Sequence, residues 1–142
     1  MLTVSLPARK PVALARVGAR SSPMTTARPL PLDVALARLA EPGVAVLAGG
    51  TDWYPALGDR PAPPDAVDVT RVPELGGLSI RPEGGWRIGA GVTWSALLDA
   101  ELPAVFGALR AAAREIGSVQ IQNTATLAGN LCNASPAADG VP

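Results

Sequence analysis

An apolar run stopped by a pair of glycines constrains this chain more than any other feature. Val44-Ala45-Val46-Leu47-Ala48 passes directly into Gly49-Gly50-Thr51-Asp52. A short apolar run bounded by turn residues predicts a buried β-strand, and the glycines predict a tight turn into a short helix starting near Trp53. Upstream, Leu32, Ala35, Leu36 and Leu39 recur at helical spacing behind Pro31, with Pro42-Gly43 as the stop, so an amphipathic helix is expected there. Downstream, Ala66-Val67-Asp68-Val69-Thr70 predicts a second short strand. A helix between two apolar strands suggests a small parallel βαβ-type unit, which makes residues 24–70 a small α/β subdomain.

Residues 71–142 have a different character and are expected to begin a second subdomain. Leu78-Ser79-Ile80 and Trp86-Arg87-Ile88 flank the glycine-rich Arg81-Pro82-Glu83-Gly84-Gly85 and predict a β-hairpin. Thr93 is placed to cap a helix carrying Trp94, Leu97 and Leu98. A longer helix is expected from Pro103 to Ile116, burying Val105, Phe106, Leu109, Ala112, Ala113 and Ile116, with Gly117 as a left-handed stop. Residues 118–136 are rich in Asn, Thr, Ser and Gly and show neither period, which predicts a binding loop. The fold class read from these elements is α+β.

With 48% hydrophobic residues in a chain of 142, one core is possible and disorder throughout is not. No apolar run approaches the roughly 18 residues that span a bilayer, so a soluble, cytoplasmic chain without a membrane span is expected. Residues 1–23 are basic, acid-free and broken by Pro7, Pro11 and Pro23, and read as a disordered extension or, with Met24 as the true start, a misassigned one. Residues 33–142 hold seven basic against twelve acidic side chains, an excess that argues against a nucleic-acid surface. The absence of histidine and the single Cys132 exclude zinc and non-haem iron sites, a Ser-His-Asp triad and a disulfide framework. Chemistry must then come from a cofactor, and no catalytic residue can be named.

Two segments suit a phosphorylated, hydroxyl-rich ligand. In Gly49-Gly50-Thr51-Asp52, glycines between a strand and a helix start let backbone N–H groups approach an anion without a side chain in the way. No lysine or arginine lies there, so Asp52 is expected to turn toward a hydroxyl or cap the helix; a plain turn is the competing reading. The run Ala125-Thr126-Leu127-Ala128-Gly129-Asn130-Leu131-Cys132-Asn133-Ala134-Ser135-Pro136-Ala137-Ala138-Asp139 gathers hydroxyls, amides and a carboxylate around one glycine. Thr126 and Asn130 can alternatively satisfy irregular backbone, and Cys132 reads as a small packed thiol. Gly89-Ala90-Gly91-Val92-Thr93-Trp94 starts like a dinucleotide fingerprint but lacks its third glycine.

Together, Val46 to Asp52 and Glu115 to Asp139 resemble the paired FAD signatures of the molybdopterin dehydrogenase flavoproteins, the xanthine dehydrogenase and carbon-monoxide dehydrogenase family. The resemblance covers about residues 26–142, including Arg28-Pro29 and Val67-Asp68-Val69-Thr70-Arg71-Val72-Pro73-Glu74-Leu75. It implies the p-cresol methylhydroxylase-type FAD-binding fold, here incomplete, because the family's domain continues past the position of Pro142. It implies FAD as cofactor, with Val46, Leu47, Ala48, Gly49, Gly50, Thr51 and Asp52 as one wall of the pyrophosphate site. Thr126, Gly129, Asn130, Cys132, Asn133 and Asp139 form the other. It also implies a molybdopterin-containing large subunit, a 2Fe-2S small subunit, and electron flow through the flavin to NAD or another acceptor. The sequence departs from the family where Ala128-Gly129 replaces a glycine pair and Gln122 an arginine. Two rivals stand beside this reading. UDP-N-acetylenolpyruvoylglucosamine reductase shares the fold and a similar first motif, but lacks an ending such as Ala134-Ser135-Pro136-Ala137-Ala138-Asp139. The product of an interrupted gene would keep the motifs and hold no FAD stably.

Overall fold

The computed structural model describes residues 28–63, 65–136 and 140; the extension expected at 1–23 and the site residue Asp139 lie outside them. Helix α1 (Leu32–Leu39) follows Pro31 and sets Ala35, 2% exposed, against Val67, Val69 and Val72. Leu36, expected on this buried face, is exposed. The two-stranded sheet beneath α1 is too narrow to cover a wider stripe than Leu32, Ala35 and Leu39.

Strand β1 (Ala45–Leu47) pairs in parallel with β2 (Ala66–Asp68) in the register Ala45↔Ala66, Val46↔Val67 and Leu47↔Asp68. Between them the chain turns at residues 49–52 and forms α2 (Trp53–Leu57), the βαβ order that the sequence predicts. The expected full burial of β1 does not hold, since Val46 is 58% exposed. Only β2 pairs with β1 among the described residues, and that leaves the strand half covered. β2 stops before Thr70 because the Asp68 carboxylate accepts hydrogen bonds from the Thr70 N–H (3.0 Å) and hydroxyl (2.6 Å). This side-chain turn outcompetes the ladder and bends residues 69–71 into a 3-10 turn.

Strands β3 (Leu78–Ile80) and β4 (Trp86–Ile88) form the expected antiparallel hairpin, its turn admitted by Gly84 and Gly85 at φ 88° and 90°. In α3 (Trp94–Asp99) the Thr93 hydroxyl oxygen accepts from the Ala96 N–H at 3.2 Å, and Trp94 and Leu97 are wholly buried. They centre a second core with Val92, Ala113, Ile116, Ala125 and Leu127, separate from the core under α1. The helix expected from Pro103 to Ile116 is instead a 3-10 turn at Ala104–Phe106 followed by α4 (Gly107–Glu115). The tighter turn shifts the phase of the first residues and leaves Val105 exposed.

The segment 118–136, expected to be a loop, holds two short helices, α5 (Val119–Gln122) and α6 (Leu127–Asn133). Each rests on a hydroxyl cap: Ser118 Oγ accepts from the Ile121 N–H at 3.4 Å, and Thr126 Oγ1 from the Gly129 N–H at 3.0 Å. Among the described residues no helix is long and apolar enough to cross a membrane.

Candidate functional site

The turn after β1 and the start of α6 meet across one cleft of about 960 Å3. Its walls include Val46, Ala48, Gly49, Gly50, Thr51 and Asp52 from the first motif and Thr126, Gly129, Asn130, Cys132 and Asn133 from the second. Leu47, predicted beside them, is not in the lining, as the alternation of side chains along β1 dictates. The sequence reading missed the apolar part of the cleft, supplied by Trp53, Ala56, Val69, Ile116 and Ile121, because these residues come from four separate places in the chain. Trp53 alone carried a local signal: an aromatic residue at the first position of a helix, directly after the glycine turn.

The three glycines of the two motifs have three different physical reasons. A methyl group on Gly49 would overlap the carbonyl oxygen of Thr124 and stand 2.8 Å from Ala125 Cα, so the first turn and the approach to α6 are in backbone contact there. Gly50 sits at φ 71°, and a methyl group on it would meet the Tyr54 ring at 2.7 Å. On Gly129 a methyl group would reach the capping Thr126 hydroxyl at 2.9 Å and the Ala48 methyl at 3.7 Å, so this glycine lets α6 close on the end of β1.

The two walls offer a ligand different things. In the first, Tyr54 is the earliest residue to close a helical bond, to Gly50 O at 3.0 Å. Ahead of it, the N–H groups of Gly50 and Thr51 in the turn and of Asp52 and Trp53 at the helix start donate to no acceptor among the described residues. Asp52 makes no side-chain cap, contrary to one of its two expected roles, and its exposed carboxylate is the only carboxylate in the described lining. In the second wall much of the backbone is already spent, the Leu127 N–H donating to Val92 O (3.1 Å), that of Gly129 to Thr126 Oγ1, and that of Asn130 to Thr126 O (3.0 Å), while those of Thr126 and Ala128 donate to no acceptor among the described residues. Its offer is therefore largely side chains.

Thr126 is 1% exposed, its hydroxyl occupied at the cap and its backbone bridged to Thr93, which is the structural reading of this residue. Asn130 Oδ1 is buried without a hydrogen-bond partner among the described residues, in the neighbourhood of Trp94 and Gly140. Cys132 is exposed rather than packed. Gln122, where the family often has arginine, donates from Nε2 to Ile116 O at 2.9 Å and so holds the turn before α5. Ala128 lies within α6 at negative φ, where its methyl group is tolerated; the one non-glycine residue at positive φ among those described is Ala134, at 48°.

The family described as the FAD binding domain in molybdopterin dehydrogenase matches residues 22–142. The xanthine dehydrogenase FAD-binding subunit of Escherichia coli O157:H7 is 38% identical over 102 residues, covering 69% of this chain and 34% of that protein. The nicotinate dehydrogenase FAD-subunit of Eubacterium barkeri is 37% identical over 99 residues, covering 68% and 33%. Among solved structures, the CO dehydrogenase from Oligotropha carboxidovorans superposes with a TM-score of 0.68 at 28% identity, over 80% of this chain and 41% of that one. The chain thus spans about a third of the length of the curated relatives it matches.

Proposed function

The chain belongs to the family of FAD-binding domains of molybdopterin dehydrogenases, and from that premise we propose that its cleft holds the pyrophosphate of FAD between the residue 49–53 turn and α6. One observation carries this reading: four consecutive cleft-lining residues, Gly50 to Trp53, have N–H groups that no described acceptor claims. An anion beside them is stabilised by oriented dipoles and needs no cation. The fit extends to the opposite wall, where Asn130, Cys132, Asn133 and Ser135 line the cleft with polar side chains suited to ribityl or ribose hydroxyls. Gly49 and Gly129 keep the two walls close enough to touch one ligand. Asp52, repelled by phosphate, belongs on a hydroxyl.

Bound there, FAD supplies the redox chemistry, accepting electrons and passing them on. In the whole protein we assign this cleft to the flavin station of an oxidoreductase. It would receive electrons from a 2Fe-2S small subunit served by a molybdopterin-containing large subunit and release them to NAD or another acceptor. The names of the relatives, which give the FAD-binding part as one subunit of a dehydrogenase, support the flavin station, and the single cysteine of residues 1–142 is too few for an iron–sulfur cluster in this stretch.

The test is a titration of the chain with FAD, followed by flavin fluorescence at low and high salt. A pyrophosphate held by backbone N–H groups should lose no more than about threefold in affinity as salt screens free charges. Absence of saturable binding both in this chain and in a longer one carrying the rest of the domain would refute the cleft as a flavin site. A steep loss with salt would show that a cation, and not this turn, holds the phosphates.

A further inference from the structure

Five aromatic residues are spread through the chain, and three are accounted for away from the cleft, in a core or in a ring pair. Trp94 is fully buried at the centre of one core. Trp86 and Phe106 meet edge to face, ring centroids 5.8 Å apart at 76°. Tyr54 lies over Gly50 and against Trp53, the two rings 4.9 Å apart at 88°. Trp53 has only that one ring contact: it belongs to neither buried core nor to the residues packed on them, yet it is half-buried and lines the cleft.

An indole on the wall of an open cleft exposes apolar surface that a plain structural role would bury. Its position is equally informative, because its own N–H group is the last of the four unclaimed donors. A group stacked on its ring would therefore lie within one nucleotide's reach of a phosphate held at the turn. Tyr54, seated on the left-handed Gly50, meets the Trp53 ring edge-on and limits its rotation, so the ring is oriented before any ligand arrives. Ile121, 37% exposed, also lines the cleft and adds apolar surface for a planar guest.

We propose that Trp53 is a stacking residue that positions a planar aromatic ring of the bound dinucleotide, the adenine or the isoalloxazine. This rests on the FAD reading above. The experiment compares wild type with Trp53→Ala, Trp53→Leu and Trp53→Phe in the full chain, measuring FAD affinity by titration and unliganded stability by thermal unfolding. Loss of a stacked ring should weaken FAD by roughly tenfold to a hundredfold in the alanine and leucine variants. Phenylalanine should restore most of the affinity, and the unliganded Tm should fall only modestly in the alanine and leucine variants, by the lost contact with Tyr54, and alike in both. The leucine variant separates ring from bulk: if it binds FAD like wild type, apolar volume suffices and stacking is refuted. Competition with AMP and with FMN identifies the ring, since only the nucleotide carrying the stacked ring should lose affinity in the alanine variant. If neither loses affinity, the proposal fails. Wild type that binds no FAD at all, in this chain and in the longer one alike, overturns the cleft assignment itself, whereas wild type that binds while all variants bind equally overturns only the role of Trp53.

Discussion

Substituting Gly49 with alanine tests the contact that brings the two halves of the cleft together. The backbone of Gly49 is outside the left-handed region, so alanine is conformationally acceptable and, by restricting the unfolded chain, should add about 0.4–1 kcal/mol of stability. Against this stands the overlap with the Thr124 carbonyl oxygen and a separation of 2.8 Å from Ala125 Cα, both main-chain atoms that no rotamer change can move aside. Forcing such a group into packed surroundings costs about 1–3 kcal/mol. The steric effect wins, and a net loss of about 1–2 kcal/mol is expected, read as a fall of roughly 3–8 °C in Tm. Gly107→Ala is the control. Gly107 begins α4 at φ −56° with nothing within 4 Å of the added methyl group, so that variant should gain about 0.5–1 kcal/mol. Circular-dichroism melts of both variants, with FAD titrations alongside, make the comparison. The reasoning is refuted if Gly49→Ala melts at or above wild type, because the turn and the 124–125 backbone could then not be in contact.

Thr126→Val should cost about 1–2 kcal/mol by removing the cap of α6, whereas Thr126→Ser should keep most of the stability; urea unfolding distinguishes them. Ala134→Gly should raise stability by up to about 1 kcal/mol or leave it unchanged, since it relieves a left-handed alanine while loosening the unfolded chain, and a clear loss in the same assay would show that the methyl group makes a needed contact.

Much of the site was legible because its signals are local. Five apolar residues stopped by Gly49-Gly50 read as a strand entering a turn, and Thr93 and Gly117 announce a helix start and a helix end within one residue each. The βαβ unit and the hairpin followed from such cues. The helices α5 and α6 did not, because four and seven residues do not complete two helical turns and the Ser and Thr that cap them resemble loop composition. Burial was legible only where both sides of an element are covered, so Val46 and Leu36, each at an incompletely covered face, were misjudged. The glycines show the limit best. A shared role in approaching phosphate was expected for Gly49, Gly50 and Gly129, but Gly49 is required by the backbone of residues 124–125, a contact between distant parts of the chain that no local pattern encodes.

The bridge between Thr93 and Thr126 has a consequence in time. At this crossing the Trp94 N–H donates to Ala125 O (3.2 Å) and the Leu127 N–H to Val92 O (3.1 Å), while each threonine caps its own helix. The beginnings of α3 and α6 are therefore one object, tied into the core around Trp94, and their amide protons should exchange with solvent together and slowly. The amides of Gly50 to Trp53, with no such ties, should exchange within the dead time until a ligand covers them. The cleft thus pairs a wall with a long memory and a wall with almost none, and occupancy is written in the second.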